Sequence, residues 1–351
     1  MYRLFLIIFG TGLFFATSGF STLAIFAVLG FIHPILDFFN HLQPFIFIGT
    51  FLALLLSLLF YKNKLLRPLI ISIASIGFLS SAFIVLPDGI TRIKNEIDNP
   101  LEENKKSYKI LTQNLFGRNY DAWRTVNEIK KINPDIIAFQ EYFYFQREAI
   151  HHLIAEQYPF YEICKGGKRN NIAIYSKTKF ELDKASSCYI GERHRISRII
   201  AKFKDQYGGE FSVVTTHLDW PLQVSKLNDG DGIKERLDLS IKRKTEQLAD
   251  LSKAINSIST PIVLVGDLNS TPWSYALRDF AKKSGLSLLT NSMFSYPNRL
   301  YLFGDWRNVI PFLPLDHILL SDGIDKKSIK KGDPAGSDHN PIVLEFSVSE
   351  K

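Results

Sequence analysis

Charged side chains are absent from three long stretches near the start of the chain, residues 4–32, 44–61 and 68–87. Each meets or approaches the ~20 apolar residues needed to cross a bilayer, so the pattern predicts about three transmembrane helices within residues 1–87. The other reading, a buried core hairpin of a water-soluble protein, is disfavoured by three such stretches in succession. Thr17-Ser18-Gly19 and Ser21-Thr22 interrupt the first stretch. They predict that its helix ends near Gly19–Ala24, with the remainder, through Phe38, lying at the membrane surface. Only Arg3 precedes this stretch, and no small-residue cleavage site with a polar start follows it, so a cleaved signal peptide is not expected.

Residues 88–107, with Asn99-Pro100, Glu102-Glu103 and Lys105-Lys106, read as a polar linker. Beyond it the pattern changes to short β-branched runs alternating with helical periods, which predicts an α/β domain over 108–351. Strands are expected at Lys109–Gln113, Asp135–Gln140, Ile172–Tyr175, Phe211–Thr216, Pro261–Val265, Asp316–Leu320 and Ile342–Phe346. Tyr120, Trp123, Val126, Ile129 and Ile132 recur at helical spacing before Asn133-Pro134 stops the helix. Residues 233–257 and Trp273–Lys283 are further helical patterns.

Three polar runs at strand ends carry candidate chemistry. In Val265-Gly266-Asp267-Leu268-Asn269-Ser270-Thr271-Pro272 the two polar side chains are two residues apart, so an extended chain aims both at one point. A carboxylate there can orient a water and an amide can donate to a phosphate oxygen; an Asx turn leading into a helix explains the same residues. Gly336-Ser337-Asp338-His339-Asn340-Pro341 offers a hard-cation ligand and an acid, base or hydrogen-bond donor, or an ordinary surface turn. Leu315-Asp316-His317 offers a carboxylate to fix the tautomer of His339, or a strand with a solvated Asp.

Together with Asn114 in Thr-Gln-Asn-Leu, Glu141 in Phe-Gln-Glu and His217 in Thr-Thr-His-Leu, these blocks stand in one order along residues 108–348. In that order the chain resembles the endonuclease/exonuclease/phosphatase superfamily, which includes deoxyribonuclease I, exonuclease III, inositol polyphosphate 5-phosphatases and bacterial sphingomyelinases. The spans followed by this domain look like a bacterial membrane-anchored branch of it. The resemblance implies a four-layer α/β/β/α sandwich preceded by a transmembrane segment. It also implies a metal-dependent hydrolase of phosphoester bonds, a phosphodiesterase, nuclease or phosphatase. Asn114, Glu141 and Asp338 would hold the metal, Mg²⁺ with Mn²⁺ or Ca²⁺ as substitutes. His217, Asp267, Asn269, Asp316 and His339 would be catalytic, with His217 and Asn269 also touching substrate. His217 stands where exonuclease III-like repair enzymes usually carry Tyr, which leans away from abasic-site repair. Arg243 and Gln247 resemble the helix that follows the His block, in a supporting role.

The remaining features bear on partners and place. Formal net charge is +7, of which +5 falls in 108–351 (34 basic minus 29 acidic), compatible with an anionic substrate. Lys165, Lys168, Arg169, Arg193, His194, Arg195 and Arg198 are either a phosphate-binding rim or scattered surface charge. Aromatic residues in Phe294–Trp306 and Tyr142–Phe145 either meet bases or lipid or serve as core. The expected partners are a phosphoester substrate (nucleic acid, phospholipid head group or small phosphoester) and a lipid bilayer through residues 4–87. Loop 33–43 has no Lys or Arg whereas 62–67 has Lys62, Lys64 and Arg67. That places the chain in a bacterial cytoplasmic membrane with the catalytic domain on the periplasmic or outer face; Arg92, Lys94, Lys105 and Lys106 oppose the bias. Cys164 and Cys188 can pair in an oxidising compartment. The competing class is a catalytically silent phosphate- or lipid-binding scaffold on the same fold, whose signature would be degraded motifs; every nominated position carries the expected residue type.

Overall fold

The computed structural model describes residues 2–61, 63–97, 107–167, 170–190, 195–204, 209–221 and 232–349. Lys62 of the basic loop and Asn99-Pro100, Glu102-Glu103 and Lys105-Lys106 of the expected linker lie outside the described residues. The chain divides into a helical unit, Met1–Thr91 with Trp273–Arg278, and a sheet unit, Arg92–Pro272 with Asp279–Lys351.

The helical unit contains α1 (Tyr2–Val28), a 3-10 turn (Leu29–Phe31), α2 (Pro34–Asp37), a second 3-10 turn (Phe38–Leu42), α3 (Gln43–Phe60) and most of α4 (Arg67–Glu96). Three segments, Ile8–Phe31, Pro34–Phe60 and Arg67–Asn95, are long and apolar enough to cross a membrane. The first helix does not end near Gly19–Ala24; α1 runs unbroken to Val28. Ser21, within the stretch read as a break, is a packing contact instead. Ser21 Oγ donates to the Ile73 carbonyl at 3.0 Å, and a Cβ added at Gly77 would come within 2.7 Å of Ser21 Cα. Small residues let helix backbones approach this closely where lipid rather than water is the competitor. Within the expected linker 88–107, α4 continues past Pro87 to Glu96. Its last residues belong to the sheet unit, where Asn95 Nδ2 donates to Leu289 O at 2.9 Å and Lys326 Nζ donates to Asn95 O at 2.7 Å.

The sheet unit is an α/β sandwich of two mixed six-stranded sheets. The first contains β1 (Tyr108–Asn114), β2 (Ile136–Gln140), β3 (Phe160–Lys165), β4 (Asn171–Ser176), β13 (Ile324–Lys331) and β14 (Ile342–Val348), in the order β13-β14-β1-β2-β4-β3. The second contains β5 (Phe180–Leu182), β6 (Arg198–Lys204), β7 (Glu210–His217), β8 (Ile262–Asp267), β9 (Ser287–Leu288) and β12 (Asp316–Leu320), in the order β5-β6-β7-β8-β12-β9. A separate hairpin pairs β10 (Arg299–Leu302) with β11 (Asp305–Asn308). Each large sheet has one parallel pair near its centre, β1/β2 and β7/β8. Parallel neighbours need a crossover, supplied by α5 (Ala122–Ile132) and α7 (Ile233–Ile255).

Alternation along the strands divides the core. Ile110, Ile136, Ile199, Val213, Val265 and Phe346 join one buried cluster drawn from both sheets. Leu111, Ile137, Phe139 and Tyr175 face the other way, with Val126 of α5 and Ile150 of α6 (Tyr144–Ile154). Burying each such side chain is worth roughly 1.5–3 kcal/mol, which fixes the register, since a one-residue slip would turn every strand inside out. Strands β3, β5, β6, β9, β10, β11 and β13 and helix α6 are not among the elements expected from the sequence. Of these, β3 and β5 lie at sheet edges with mostly half-exposed or exposed residues, so their pattern is weak.

Candidate functional site

The carboxyl ends of the two parallel pairs deliver the nominated residues, as is usual for sites built on parallel strands. Asn114 ends β1, Glu141 follows β2, His217 ends β7 and Asp267 ends β8. Register then aligns them: His217 pairs with Asp267 across β7/β8, and Asp316 pairs with Asp267 across β12/β8. Three side chains that are 50 and 49 positions apart in sequence thus stand abreast on neighbouring strands. All three are buried, as are Asn114, Asn269 and His339.

Backbone irregularities aim these groups. Gly266 has φ +148°, and a Cβ there would meet the Thr216 carbonyl oxygen at 2.1 Å, so the strand can carry only glycine ahead of Asp267. Glu141 (φ +54°) and Asn269 (φ +46°) both hold left-handed backbone. For non-glycine residues this costs about 1–3 kcal/mol each and persists where surrounding structure over-determines it. Here Glu141 Oε2 accepts from the Gly117 amide at 2.7 Å, and Asp267 Oδ1 accepts from the Asn269 amide at 2.9 Å.

A hydrogen-bonded chain links the groups. Asp267 Oδ2 accepts from Asn114 Nδ2 at 2.9 Å and from Asn269 Nδ2 at 3.3 Å, and lies 3.3 Å from His217 Nε2. Asn269 Nδ2 is also 3.1 Å from His217 Nε2 and donates to Leu218 O at 2.8 Å. His339 Nδ1 is 2.7 Å from Asp316 Oδ2, while its Nε2 faces Asp267 Oδ2 and Asp338 Oδ1, each at 3.9 Å. Burial disfavours the imidazolium, but the Asp316 and Asp267 carboxylates outweigh it and hold the His339 pKa up to about 10. The Asp338 carboxyl is pushed up to about 7 by burial above all; the Glu141 and Asp267 carboxylates add to the rise and His339 opposes it.

A divalent metal fits this donor set. Asp267, Asp316 and His339 each offer a ligand atom, all within 4.8 Å of one another. This trio differs from the Asn114, Glu141 and Asp338 set expected from sequence. Two of its atoms, His339 Nδ1 and Asp316 Oδ2, already bind each other. Among the buried side-chain oxygens with no hydrogen-bond partner in the described residues are Asn269 Oδ1, Asp316 Oδ1 and Asp338 Oδ1. Three orphaned acceptors in one site mark a place for a cation or a donor-bearing substrate.

Other residues hold the site, and of these Ser295 and Lys244 carry no sequence signal. Ser295 Oγ donates to Asp316 Oδ2 at 2.6 Å, and the Tyr296 ring lies 4.6 Å from the His339 ring. Lys244 Nζ, one position beyond Arg243, donates to the carbonyls of Asp219 and Leu268. Gln247 supports the loop after β7 as expected, donating to Asp219 Oδ2 at 2.9 Å. His317, beside Asp316, is structural: its Nε2 lies 2.6 Å from Ser270 O and its Nδ1 2.9 Å from Thr290 Oγ1. The basic rim does not hold as drawn. Arg198 is buried in β6 and donates to Ala185 O and Asp250 Oδ2, while Arg195 lies over the Tyr189 ring. Lys168, Arg169, Arg193 and His194 lie outside the described residues. Of the aromatic runs, Tyr142 is core, whereas Trp306 stands against Phe116 at 5.2 Å.

Comparison with known proteins now places the chain. Residues 111–339, about two thirds of its length, match the endonuclease/exonuclease/phosphatase family, and the chain belongs to that family. With the acidic and imidazole cluster it is a metal-dependent hydrolase acting on phosphoester bonds. A UPF0294 protein of Vibrio campbellii is 25% identical over 250 residues, covering 69% of this chain and 78% of its own length. A UPF0294 protein of Vibrio parahaemolyticus is 34% identical over 108 residues, 30% of this chain and 34% of its own. Among solved structures, endonuclease/exonuclease/phosphatase proteins of Beutenbergia cavernae and Bacteroides thetaiotaomicron are each 16% identical and cover 70% of this chain. They cover 72% and 100% of their own chains, with TM-scores of 0.50 and 0.51. At that identity the likeness is one of fold.

Proposed function

We propose that the protein is a membrane-anchored phosphoester hydrolase that works on the outer face of a bacterial cytoplasmic membrane. In this reading residues 1–87 are the membrane domain, 88–107 the connection and 108–351 a four-layer α/β/β/α catalytic domain. The observation that carries the reading is the register that sets His217, Asp267 and Asp316 abreast, with His339 paired to Asp316 and turned toward Asp267.

Glu141, Asn114 and Asp338 would hold Mg²⁺, or Mn²⁺ or Ca²⁺ in its place; a bound divalent ion supplies charge neutralisation at the phosphoryl oxygens. Asp267, fixed by three neighbours, orients the attacking water and takes its proton. His217 and Asn269 bind the phosphoryl oxygens. His339, kept in one orientation and charged by Asp316, donates to the phosphoryl group as negative charge builds in the transition state. Two features support the outer face. Loop 33–43 lacks Lys and Arg, and Cys164 and Cys188 are bonded, as befits an oxidising compartment.

The test uses the full chain in spheroplasts with a membrane-impermeant phosphodiester such as bis(p-nitrophenyl) phosphate, and Mg²⁺, Mn²⁺ or Ca²⁺. Intact spheroplasts turn the substrate over, and Glu141→Ala or His339→Ala each lowers the rate by about a hundredfold or more. Activity released only by lysis overturns the external face. Activity unchanged by both substitutions sinks the mechanism. No hydrolysis across nucleic acid, phospholipid and small phosphoesters favours the silent scaffold.

A further inference from the structure

The helical unit contains a carboxylate that its membrane role does not require. Asp37 ends α2, between the long helices α1 and α3, and is only 6% exposed. Among the described contacts its oxygens accept four hydrogen bonds. Oδ1 accepts from the Tyr275 amide at 2.8 Å and Asn40 Nδ2 at 2.9 Å; Oδ2 accepts from Ser274 Oγ at 2.8 Å and the Ala276 amide at 3.1 Å. Three of these donors belong to the start of α8 (Tyr275–Lys283), whose first turn is grouped with the helical unit. A carboxylate at a helix N-terminus satisfies orphan amides and meets the positive end of the helix dipole.

Asp37 is itself held in place. Asn40 Nδ2 also donates to Ala27 O at 2.9 Å, Gln43 Nε2 donates to Asn40 Oδ1 at 3.1 Å, and Ser81 Oγ donates to Gln43 Oε1 at 2.8 Å. A Cβ at Gly30 would come within 2.8 Å of Asp37 Cα, so the turn closes on Asp37 only with glycine there. A line of buried polar side chains thus runs from α4 to Asp37. Such groups are costly among apolar helices and are retained where they serve a purpose.

The chain supplies that purpose. Trp273, the first residue of the capped segment, follows Asn269 by four positions, and the intervening Ser270 and Thr271 are buried. Upstream, the same loop is gripped by Lys244 Nζ at the Leu268 carbonyl and His317 at the Ser270 carbonyl. The loop that bears Asn269 in its left-handed conformation therefore runs, within five residues, from these contacts into the segment whose amides and hydroxyl Asp37 accepts. Three spans also leave the Asp37 connection and everything beyond α4 on one face of the membrane, whichever way the first helix inserts.

We infer that Asp37 is a positioning residue for the Asp267–Asn269 loop, acting along the chain from the segment it caps, Ser274–Ala276, back to Asn269. The inference rests on the function proposed above for its kinetic consequence but not for its structural one. Both are tested in the full chain in detergent micelles or nanodiscs, with Asp37→Asn, Ser274→Ala as the reciprocal change, and Thr50→Val as control. Thr50 is equally buried in the helical unit, but its hydroxyl donates only to Ile46 and Phe47 of its own helix.

Hydrogen–deuterium exchange reads the structural arm. Asp37→Asn and Ser274→Ala speed exchange throughout residues 268–276, and Thr50→Val leaves that segment unchanged. Faster exchange confined to Tyr275 and Ala276 overturns the coupling, whether or not the enzyme turns over any substrate. Kinetics read the second arm: displacing Asn269 by a fraction of an ångström lowers kcat by about tenfold to a hundredfold with KM within about twofold. A wild-type kcat in Asp37→Asn, or an equal fall in Thr50→Val, overturns the positioning role. An inactive parent chain with the predicted exchange pattern counts against the hydrolase and leaves the structural coupling standing.

Discussion

In the helical unit Thr17, Asn40, Gln43, Thr50 and Ser81 are buried, while Phe15, Leu59, Leu79 and Phe83 are each at least 63% exposed. In the sheet unit Val213, Val263, Ile318 and Phe346 are sealed from solvent, and Lys131, Lys242 and Lys283 stand at the surface. One chain follows two opposite burial rules. Water drives the second arrangement, because removing apolar area from it is the main source of stability. It cannot drive the first, in which apolar surface stays outside. That arrangement suits an apolar solvent, where every backbone group is satisfied within a helix and close packing of small residues joins the helices.

The largest effect that sharpens this contrast is expected in the sheet core. Phe346 is fully buried between Tyr108 and Phe211, with ring centroids 5.7 and 5.6 Å away. Phe346→Ala should cost about 3–5 kcal/mol. Thermal unfolding of the purified full chain, followed by near-ultraviolet circular dichroism, should show a clearly lower midpoint with membrane extraction unchanged; an unaltered midpoint would mean that this core does not hold the unit together.

A charge on the outside of the helical unit comes next. Leu79 lies near the middle of α4 and is 64% exposed. On a water-soluble protein Leu79→Asp would be nearly neutral, within about 0.5 kcal/mol. Facing lipid it costs about 2.5–3.5 kcal/mol. Carbonate extraction of membranes should release a much larger share of Leu79→Asp than of the parent chain, and equal retention would break the comparison at its weaker side.

What the sequence made legible follows from which forces act locally. Loss of charge over some twenty positions is a property of one helix, so 44–61 and 68–87 could be read without a fold. Asn114, His217 and Asp267 could be read because a β-branched run announces a strand and the polar residue at its end stands out. Ser21 reads as part of a helix end because a packing contact and a break look alike along one chain; Gly77, 56 residues on, tells them apart. Arg198 was misread for the same reason: its partner Asp250 is brought to it by the fold. Ser295 and Lys244 gave no signal at all, and Tyr296 stood out only as one aromatic of the run Phe294–Trp306. They act on Asp316, His339 and Leu268 through contacts that exist only once the strands are paired.

The smallest expected effect compares one hydrogen bond in each unit. Thr216 Oγ1 donates to Ser197 O at 2.9 Å inside the sheet unit, and Ser81 Oγ donates to Gln43 Oε1 at 2.8 Å inside the helical one. The geometries are alike, and both hydroxyls are buried. The reference states differ. In water the unfolded Thr216 is fully solvated, and deleting its hydroxyl leaves a buried carbonyl short of a donor, so Thr216→Val should cost about 1–3 kcal/mol. Helices separated within a bilayer still find hydrogen-bond partners along their own backbones, which cuts the net value of such a bond to about 0.6 kcal/mol. Ser81→Ala should therefore destabilise the helical unit by only that amount, measured by denaturant titration in micelles. Equal losses at the two positions would show that both units unfold into the same solvent, and the contrast in burial would then need another cause.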